Sequence, residues 1–336
     1  MKSAVLWRKI NGKSAECYLC AHNCVITPGT AGLCSMRENR LGELYSLNYG
    51  KIIARHVDPI EKKPLYHFLP GSYSYSIAAP GCNFRCGFCQ NWTISQLKAS
   101  QIAGLSGDIA PERIAKEAMT SGCKSVSYTY TEPTVYFEYA FDASLVAKKA
   151  GLYNIFVTNG FMGPESIDEI RPLLDASNID LKFFRDSSYR EHCSGRLDPV
   201  LRSIIKMKKA GIWVEITTLL IPGLNDSAGE LSDIAGFIAG VDSGIPWHIS
   251  RFHPDHKYTG IVPTPPESLE KAKEIGMTKG LKYVYMGNVA KGGDTECPKC
   301  GKIIIERDGF SSLKKARLFS SGKCLSCGEK IEGVWE

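Results

Sequence analysis

Long apolar runs are missing from this chain. No stretch approaches the roughly 18 apolar residues of a membrane span, so no membrane partner is expected. The opening residues, Met1 to Ile10, show neither an apolar core nor a small-residue cleavage site, so export is not expected and a cytoplasmic location is. Runs of like charge are missing too. The 41 Lys and Arg against 35 Asp and Glu leave a formal charge of +6, which promises no basic tail or face, and a nucleic-acid partner is not expected. No internal repeat or low-complexity tract appears. With 43% apolar residues the chain can build a real core, which excludes disorder as its overall state. At 336 residues, one large domain with appendages or two domains fits.

What the chain has in excess is cysteine. There are 13, an odd number, in a chain too large to need disulfide staples. Without an export signal a reducing compartment is the default, and grouped cysteines there read as metal ligands. Three groups are visible: Cys17, Cys20, Cys24 and Cys34; then Cys82, Cys86 and Cys89; then Cys297, Cys300, Cys324 and Cys327. Cys123 and Cys193 stand alone. Cys123 reads as a small buried hydrophobe.

Between the outer groups the chain alternates β-type runs with helical patterns. Strands are predicted over residues 75–79, 125–130, 153–158, 178–183, 212–221, 247–252 and 282–285, all rich in Val, Ile, Tyr and Phe. Helices are predicted over 110–121, 134–150, 199–210, 227–239 and 266–279, several opened by Pro and closed by Gly. This alternation argues for a parallel sheet, either a barrel or a doubly wound sheet. Ligands then belong at the carboxyl ends of the strands. Polar residues do follow the β runs there, as in Gly81-Cys82, Thr131-Glu132, Asn159-Gly160 and Asn225-Asp226. Three parts follow: 1–70, 71–292 and 293–336, with a cysteine group in each.

The central group is a C-x3-C-x2-C run on one short loop after a strand. Three thiolates can hold three irons of a cubane cluster. A missing fourth ligand leaves one position open for chemistry, a logic stated for zinc that extends to a cluster iron. Zinc completed by a distant His, or three unrelated buried thiols, are the plainer readings.

The run, with an aromatic just before its third Cys, resembles the signature of the radical S-adenosylmethionine (SAM) enzymes. The order of Thr131-Glu132-Pro133, Thr158-Asn159-Gly160, Asp180-Leu181-Lys182, the 221–226 segment and Ser250-Arg251-Phe252-His253 is similar to that of the pyruvate formate-lyase activating enzymes. Residues 129–133, 215–223, Cys89-Gln90-Asn91-Trp92, Gly287-Asn288 and both flanking cysteine groups bring the chain closer to the AmmeMemoRadiSam-system radical SAM enzymes, a resemblance over essentially the whole chain. The implied fold is α/β: a partial (β/α)6 TIM-like barrel with a small N-terminal Cys-rich subdomain and a C-terminal zinc ribbon.

The resemblance implies a [4Fe–4S] cluster on Cys82, Cys86 and Cys89. Its open iron would bind SAM, and reductive cleavage would give a 5′-deoxyadenosyl radical that abstracts hydrogen. Phe88, Cys89 and Gln90 would face adenine. Thr131 and Glu132 would accept from the methionine ammonium. Asn159 would lie at the same strand ends. Asp180, Leu181 and Lys182 would reach the ribose and the methionine carboxylate, and His253 the nucleoside. Plainer roles stand beside these: Glu132 as a helix N-terminal carboxylate, Asp180 and Lys182 as a simple ion pair, His253 as a core histidine. Departures are also present. Tyr130-Thr131 replaces a Gly-Gly, Val157 stands at an acidic position, and Thr217 replaces an Arg. Substrate recognition should therefore differ from that of a glycyl-radical activase.

The substrate would be a protein, in activase fashion, or else a small molecule or an RNA base. A non-catalytic iron–sulfur or zinc protein is the remote alternative. A flavodoxin or ferredoxin would donate electrons, and the family association suggests Memo-type and AMMECR-type partners. Cys193, on the active-site side, is a minor candidate for radical quenching or substrate linkage.

The last cysteines form two C-x2-C-G knuckles around a β-rich stretch (303–307 and 314–319), the spacing of a zinc ribbon. Rubredoxin-like iron has similar knuckles. Lys314, Lys315 and Arg317 leave partner binding open. For Cys17, Cys20, Cys24 and Cys34, zinc and an auxiliary iron–sulfur cluster both fit, and His22 is an alternative ligand.

Overall fold

The computed structural model describes the chain except residues 103, 106, 290, 291, 316–318, 321 and 336, and the backbone alone over 311–315 and 319–320. Arg317 and the middle of the predicted strand 314–319 thus lie outside the described residues.

The centre is an eight-stranded sheet: β1 (Ala54–Pro59), β2 (Tyr73–Ala78), β3 (Ser125–Tyr128), β4 (Tyr153–Thr158), β5 (Ala176–Asp180), β6 (Trp213–Leu220), β7 (Trp247–Arg251) and β8 (Val284–Gly287). Neighbours in the sheet follow chain order from β1 to β8. From β2 onward every pairing is parallel, and β1 runs antiparallel at the edge. Six helices make the crossovers: α1 (Pro111–Thr120), α2 (Phe137–Lys149), α3 (Pro164–Ile170), α4 (Leu197–Lys209), α5 (Ala228–Asp242) and α6 (Pro266–Thr278). A doubly wound sheet reverses its strand order at a switch point. This order never reverses, so right-handed crossovers put all the helices on one face. The result is a partial TIM-like barrel, open because β1 and β8 do not pair among the described residues.

Local sequence explains the elements. In α4, Val200, Ile204 and Met207 recur at helical spacing and are buried against the sheet. Ser227 caps α5 by accepting from the Glu230 N–H at 3.3 Å. The helix predicted over 134–150 begins instead as a 3-10 turn, Pro133–Tyr136, because Pro133 and the Glu132 side chain set its start. Helix α3 and strand β1 escaped prediction. Seven residues are too few for a clear periodicity, and β1 is a charged edge strand within the stretch assigned to the N-terminal subdomain.

The N-terminal part forms two three-stranded antiparallel sheets, Lys2–Ser3 with Glu43–Ser46 and Arg37–Arg40, and Trp7–Lys9 with Ala15–Cys17 and Cys24–Ile26. It docks beyond the carboxyl end of β4. The Ala21 N–H donates to the Phe161 carbonyl (3.2 Å), and the Gly163 N–H to Leu19 (2.9 Å). A buried ion pair, Arg37 with Glu138, ties it to α2.

The C-terminal ribbon sits at the opposite, amino end of the strands. The Val334 N–H donates to His67 (2.8 Å), and Arg307 reaches the Tyr66 carbonyl (2.8 Å). Glu215, near the start of β6, accepts from the Tyr66 and His67 N–H groups and meets His248 Nε2 at 2.6 Å. Residues 60–69 thus close the bottom of the barrel, and the carboxyl end stays open. No helix among the described residues is long and apolar enough to cross a membrane.

Candidate active site and metal centres

The concave face of the sheet opens at its carboxyl end into a cavity of about 540 Å3. The three central thiols, Cys82, Cys86 and Cys89, enter it from one loop after β2, and Phe88 and Gln90 line it with them. The loop is held on all sides. The Arg85 N–H donates to the Cys193 carbonyl (2.9 Å) and the Gly87 N–H to His192 (3.0 Å), while Gly87 accepts from Lys257 (2.9 Å). A Cβ on Gly87 would stand 2.4 Å from the Tyr258 ring, so glycine is needed there. Donors reach the sulfurs: the Phe84 N–H meets Cys82 Sγ at 3.3 Å, and Ser95 Oγ lies 3.4 Å from Cys89 Sγ. Three thiols on a rigid loop with N–H and O–H donors fit a cluster with one open iron. Burial pushes the Cys82 thiol well above its ordinary value, so a bound cation is what would hold it as thiolate.

Opposite the loop stand the strand-end residues. Glu132 is almost fully buried, and its carboxylate takes four donors. Oε1 accepts from Thr134 N (3.0 Å), Thr134 Oγ1 (2.6 Å) and Thr158 Oγ1 (2.8 Å), and Oε2 accepts from Asn159 N (2.9 Å). Burial raises its carboxyl, and these donors pull the other way. The expected capping role is therefore real, yet the same carboxylate lines the cavity. Asn159 acts on the cluster loop: its Nδ2 donates to Asn83 Oδ1 (2.7 Å) and lies 3.7 Å from Cys82 Sγ.

Asp180 and Lys182 project from one side of the chain and pair at 2.8 Å within the cavity wall. Burial pulls the Lys182 ammonium down, but Asp180 together with the neighbouring Cys86 and Cys193 sulfurs outweighs it and holds the group well above its ordinary value. Leu181, between them, is fully buried away from the cavity. Thr131 lines the cavity and anchors itself by donating from Oγ1 to the Ala79 carbonyl at 2.6 Å. His253 is exposed and does not line the cavity; Ser250 and Asn288 stand at that side. Cys193 is buried behind the loop, its thiol against that of Cys86.

Sequence reasoning missed Lys62 and Lys63, which form part of the cavity floor. Lys63 is buried, pairs with Asp58 at 2.6 Å and lies 4.7 Å from the Tyr130 ring centre. Burial lowers its ammonium to about 8, with Asp58 opposing. Nothing in the local sequence marks these lysines, because only the β1–β2 pairing brings them inside.

The four C-terminal cysteines draw their sulfurs within 4.8 Å of one another, a geometry that can bind a metal. Cys297 and Cys327 are 3.6 Å apart, and Cys300 and Cys324 3.7 Å. Each knuckle closes alike, Gly301 N–H to Cys297 and Gly328 N–H to Cys324. The four N-terminal cysteines line one small cavity together with His22. The His22 Nε2 meets the Asn83 carbonyl at 2.8 Å.

Comparison with known proteins agrees with this geometry. The chain is 42% identical to the uncharacterized protein MJ0808 of Methanocaldococcus jannaschii, over 99% of this chain and 100% of that protein. In structure it resembles a radical SAM methyltransferase from Sphaerobacter thermophilus (TM-score 0.51, 16% identity, 66% of this chain and 68% of that one). It also resembles SuiB of Streptococcus suis bound to the precursor peptide SuiA (TM-score 0.51, 16% identity, 68% of this chain and 51% of that one). These two likenesses speak to the fold. Residues 76–235 match the radical SAM superfamily, a span that holds the three-thiol loop, Glu132 and the Asp180–Lys182 pair. The chain therefore belongs to the radical SAM superfamily, whose domain marks an enzyme and implies SAM and a [4Fe–4S] cluster.

Proposed function

We propose that the protein binds SAM in the large cavity and uses it to abstract hydrogen from a protein substrate. The observation that carries this reading is the convergence of three thiols, Glu132, Asp180 and Lys182 on one cavity at the carboxyl end of the sheet. When bound, the cluster supplies one electron to the sulfonium, splitting the S–C5′ bond into methionine and a deoxyadenosyl radical that takes hydrogen from the substrate. The chain's own residues orient and exclude. Glu132 Oε2, with one donor from Asn159, accepts from the methionine ammonium. Lys182, paired with Asp180 at 2.8 Å, would hold the methionine carboxylate, and Asp180 would hold the ribose. Phe88, buried between Phe183 and Tyr258, fixes the loop edge beside adenine. The unclosed sheet favours a large substrate that enters at the rim, and SuiB offers a parallel in holding a precursor peptide.

The C-terminal set we read as zinc. A tetrahedron with Zn–S of about 2.3 Å separates its sulfurs by about 3.8 Å, close to the 3.6 and 3.7 Å observed.

The test is anaerobic. Protein reconstituted with iron and sulfide is reduced with dithionite, given SAM, and assayed for 5′-deoxyadenosine by mass. The wild type should form it and Cys86→Ala should not. No deoxyadenosine, together with no SAM-induced change in the cluster's electron-spin spectrum, would overturn the reading.

A further inference from the structure

The two outer cysteine groups differ in how their sulfurs stand. The C-terminal four converge within 4.8 Å, as ligands of a single ion do. Neither the central three nor the N-terminal four do so, and among the described residues no other such group closes. Around a cubane each thiolate takes its own iron, so the sulfurs stand a cluster's width apart. The N-terminal set, like the central set, does not draw its sulfurs in to single-ion distances.

The space between the N-terminal sulfurs is open. Cys17, Cys20, Cys24 and Cys34 surround a cavity with about 20 Å3 available to the centre of a water-sized sphere, against the roughly 10–15 Å3 that one water requires. Leu19, Ile26, Leu33 and Val135 give it apolar walls, which do not favour water. The Arg37 guanidinium nevertheless reaches in, its Nη1 lying 3.4 Å from Cys17 Sγ. Buried Arg37, which also pairs with Glu138, places its guanidinium beside a site whose thiolates would be negative.

We propose that Cys17, Cys20, Cys24 and Cys34 hold a second iron–sulfur cluster, of the cubane type and with all four irons ligated by protein. Its place suits electron exchange with the central site. Asn83 lines the N-terminal cavity and is the chain neighbour of Cys82, while its Oδ1 takes the Asn159 amide that also faces Cys82 Sγ. Thr134 lines the same cavity and donates to Glu132. One layer of side chains thus separates the two sites. A single electron from an external low-potential carrier would reduce this cluster and pass through that layer, returning it to its oxidised state.

The test counts atoms. A Cys82→Ala/Cys86→Ala/Cys89→Ala variant of the full chain, reconstituted anaerobically, should retain about four irons and four acid-labile sulfides, as one cubane requires. It should also show an electron-spin signal on reduction. Adding Cys20→Ser and Cys34→Ser should abolish both. Wild type should carry twice the labile sulfide of the triple variant, a measurement that needs no variant to tolerate five substitutions. A triple variant with no labile sulfide, or a wild type with one cubane and two equivalents of zinc, would overturn the proposal. Because the count is made without the central thiols, it stands apart from the SAM reading.

Discussion

Replacing Glu132 with Gln separates a capping role from a ligand-binding one. The side chain is 2% exposed and its two oxygens take four donors. The amide keeps one oxygen, which best serves the three donors now at Oε1. Its NH2 then faces the Asn159 N–H, donor against donor. One lost charge-assisted bond and one unsatisfied buried donor cost about 1–3 kcal/mol. At about 2–4 °C per kcal/mol for large domains, the melting point should fall by about 2 to 12 °C. Loss of the carboxylate facing the methionine ammonium should weaken SAM by about 10- to 150-fold, the equivalent of about 1.5–3 kcal/mol. Thr134→Val is the control: it removes the Oγ1 donor on the side away from the cavity, so it should lower the melting point while SAM affinity holds within a factor of about two. Calorimetric titration of anaerobically reconstituted protein gives the affinities. Should Glu132→Gln melt early yet bind SAM as well as wild type, the carboxylate is a cap alone and its assignment fails.

Three further outcomes follow from the same geometry. His67 is fully buried between the ribbon and the barrel, and burial depresses its imidazole from 6.5 to about 4. The unfolded chain takes up that proton where the folded chain refuses it. This stability is whole above pH 6.5 and lost as pH falls toward 4, a difference of about 3 kcal/mol. Urea midpoints at pH 7 and pH 4.5 should show the loss, and a His67→Gln variant with the same pH slope would refute it. Gly87→Ala should lower iron at the central site, since its Cβ meets Tyr258 at 2.4 Å; Gly87→Ala/Tyr258→Ala should regain it, and full iron in the single variant would disprove the clash. Tyr130→Phe should cost about 1–2 kcal/mol by removing the hydroxyl that donates to buried Asp58. Denaturation midpoints check this, and an unchanged midpoint would mean the bond contributes nothing.

The alternation of strands and helices was legible because buried parallel strands such as β4 read as apolar runs and helices such as α4 carry a clean 3.6-residue period. The central thiols were legible because they share one loop. What was not legible depends on long-range pairing. Lys62 and Lys63 reach the cavity floor only because β1 pairs with β2, and a charged edge strand carries no strong pattern. His253 followed the family's order, but the chain beyond β7 turns so that Ser250 lines the cavity and His253 meets solvent. Composition could not tell which cysteine groups close around one ion and which leave a space. That distinction rests on the distances between sulfurs, and spacing along the chain does not determine them.

The departure at Tyr130 and the unpredicted β1 explain each other. Tyr130 has φ +63°, in the left-handed region that glycine adopts freely and other residues rarely. The activating enzymes that the sequence resembles have Gly-Gly where this chain has Tyr130-Thr131. Here a tyrosine is held in that conformation by contacts from the segment just before β2. Its hydroxyl donates to Asp58, Lys63 lies over its ring at 4.7 Å, and His56 meets it edge-on at 5.9 Å. All three partners fall between residues 54 and 63, outside the 76–235 span that matches the superfamily. A backbone cost of about 1–2 kcal/mol is plausible only if the structure around it supplies as much in return, and these contacts do. Glycine at 130 would relieve the backbone and leave Asp58 and Lys63 to each other in the cavity floor. The cavity floor is therefore built by the pairing of the turn that follows β3 with the edge strand β1 and the residues after it, and neither half makes sense alone.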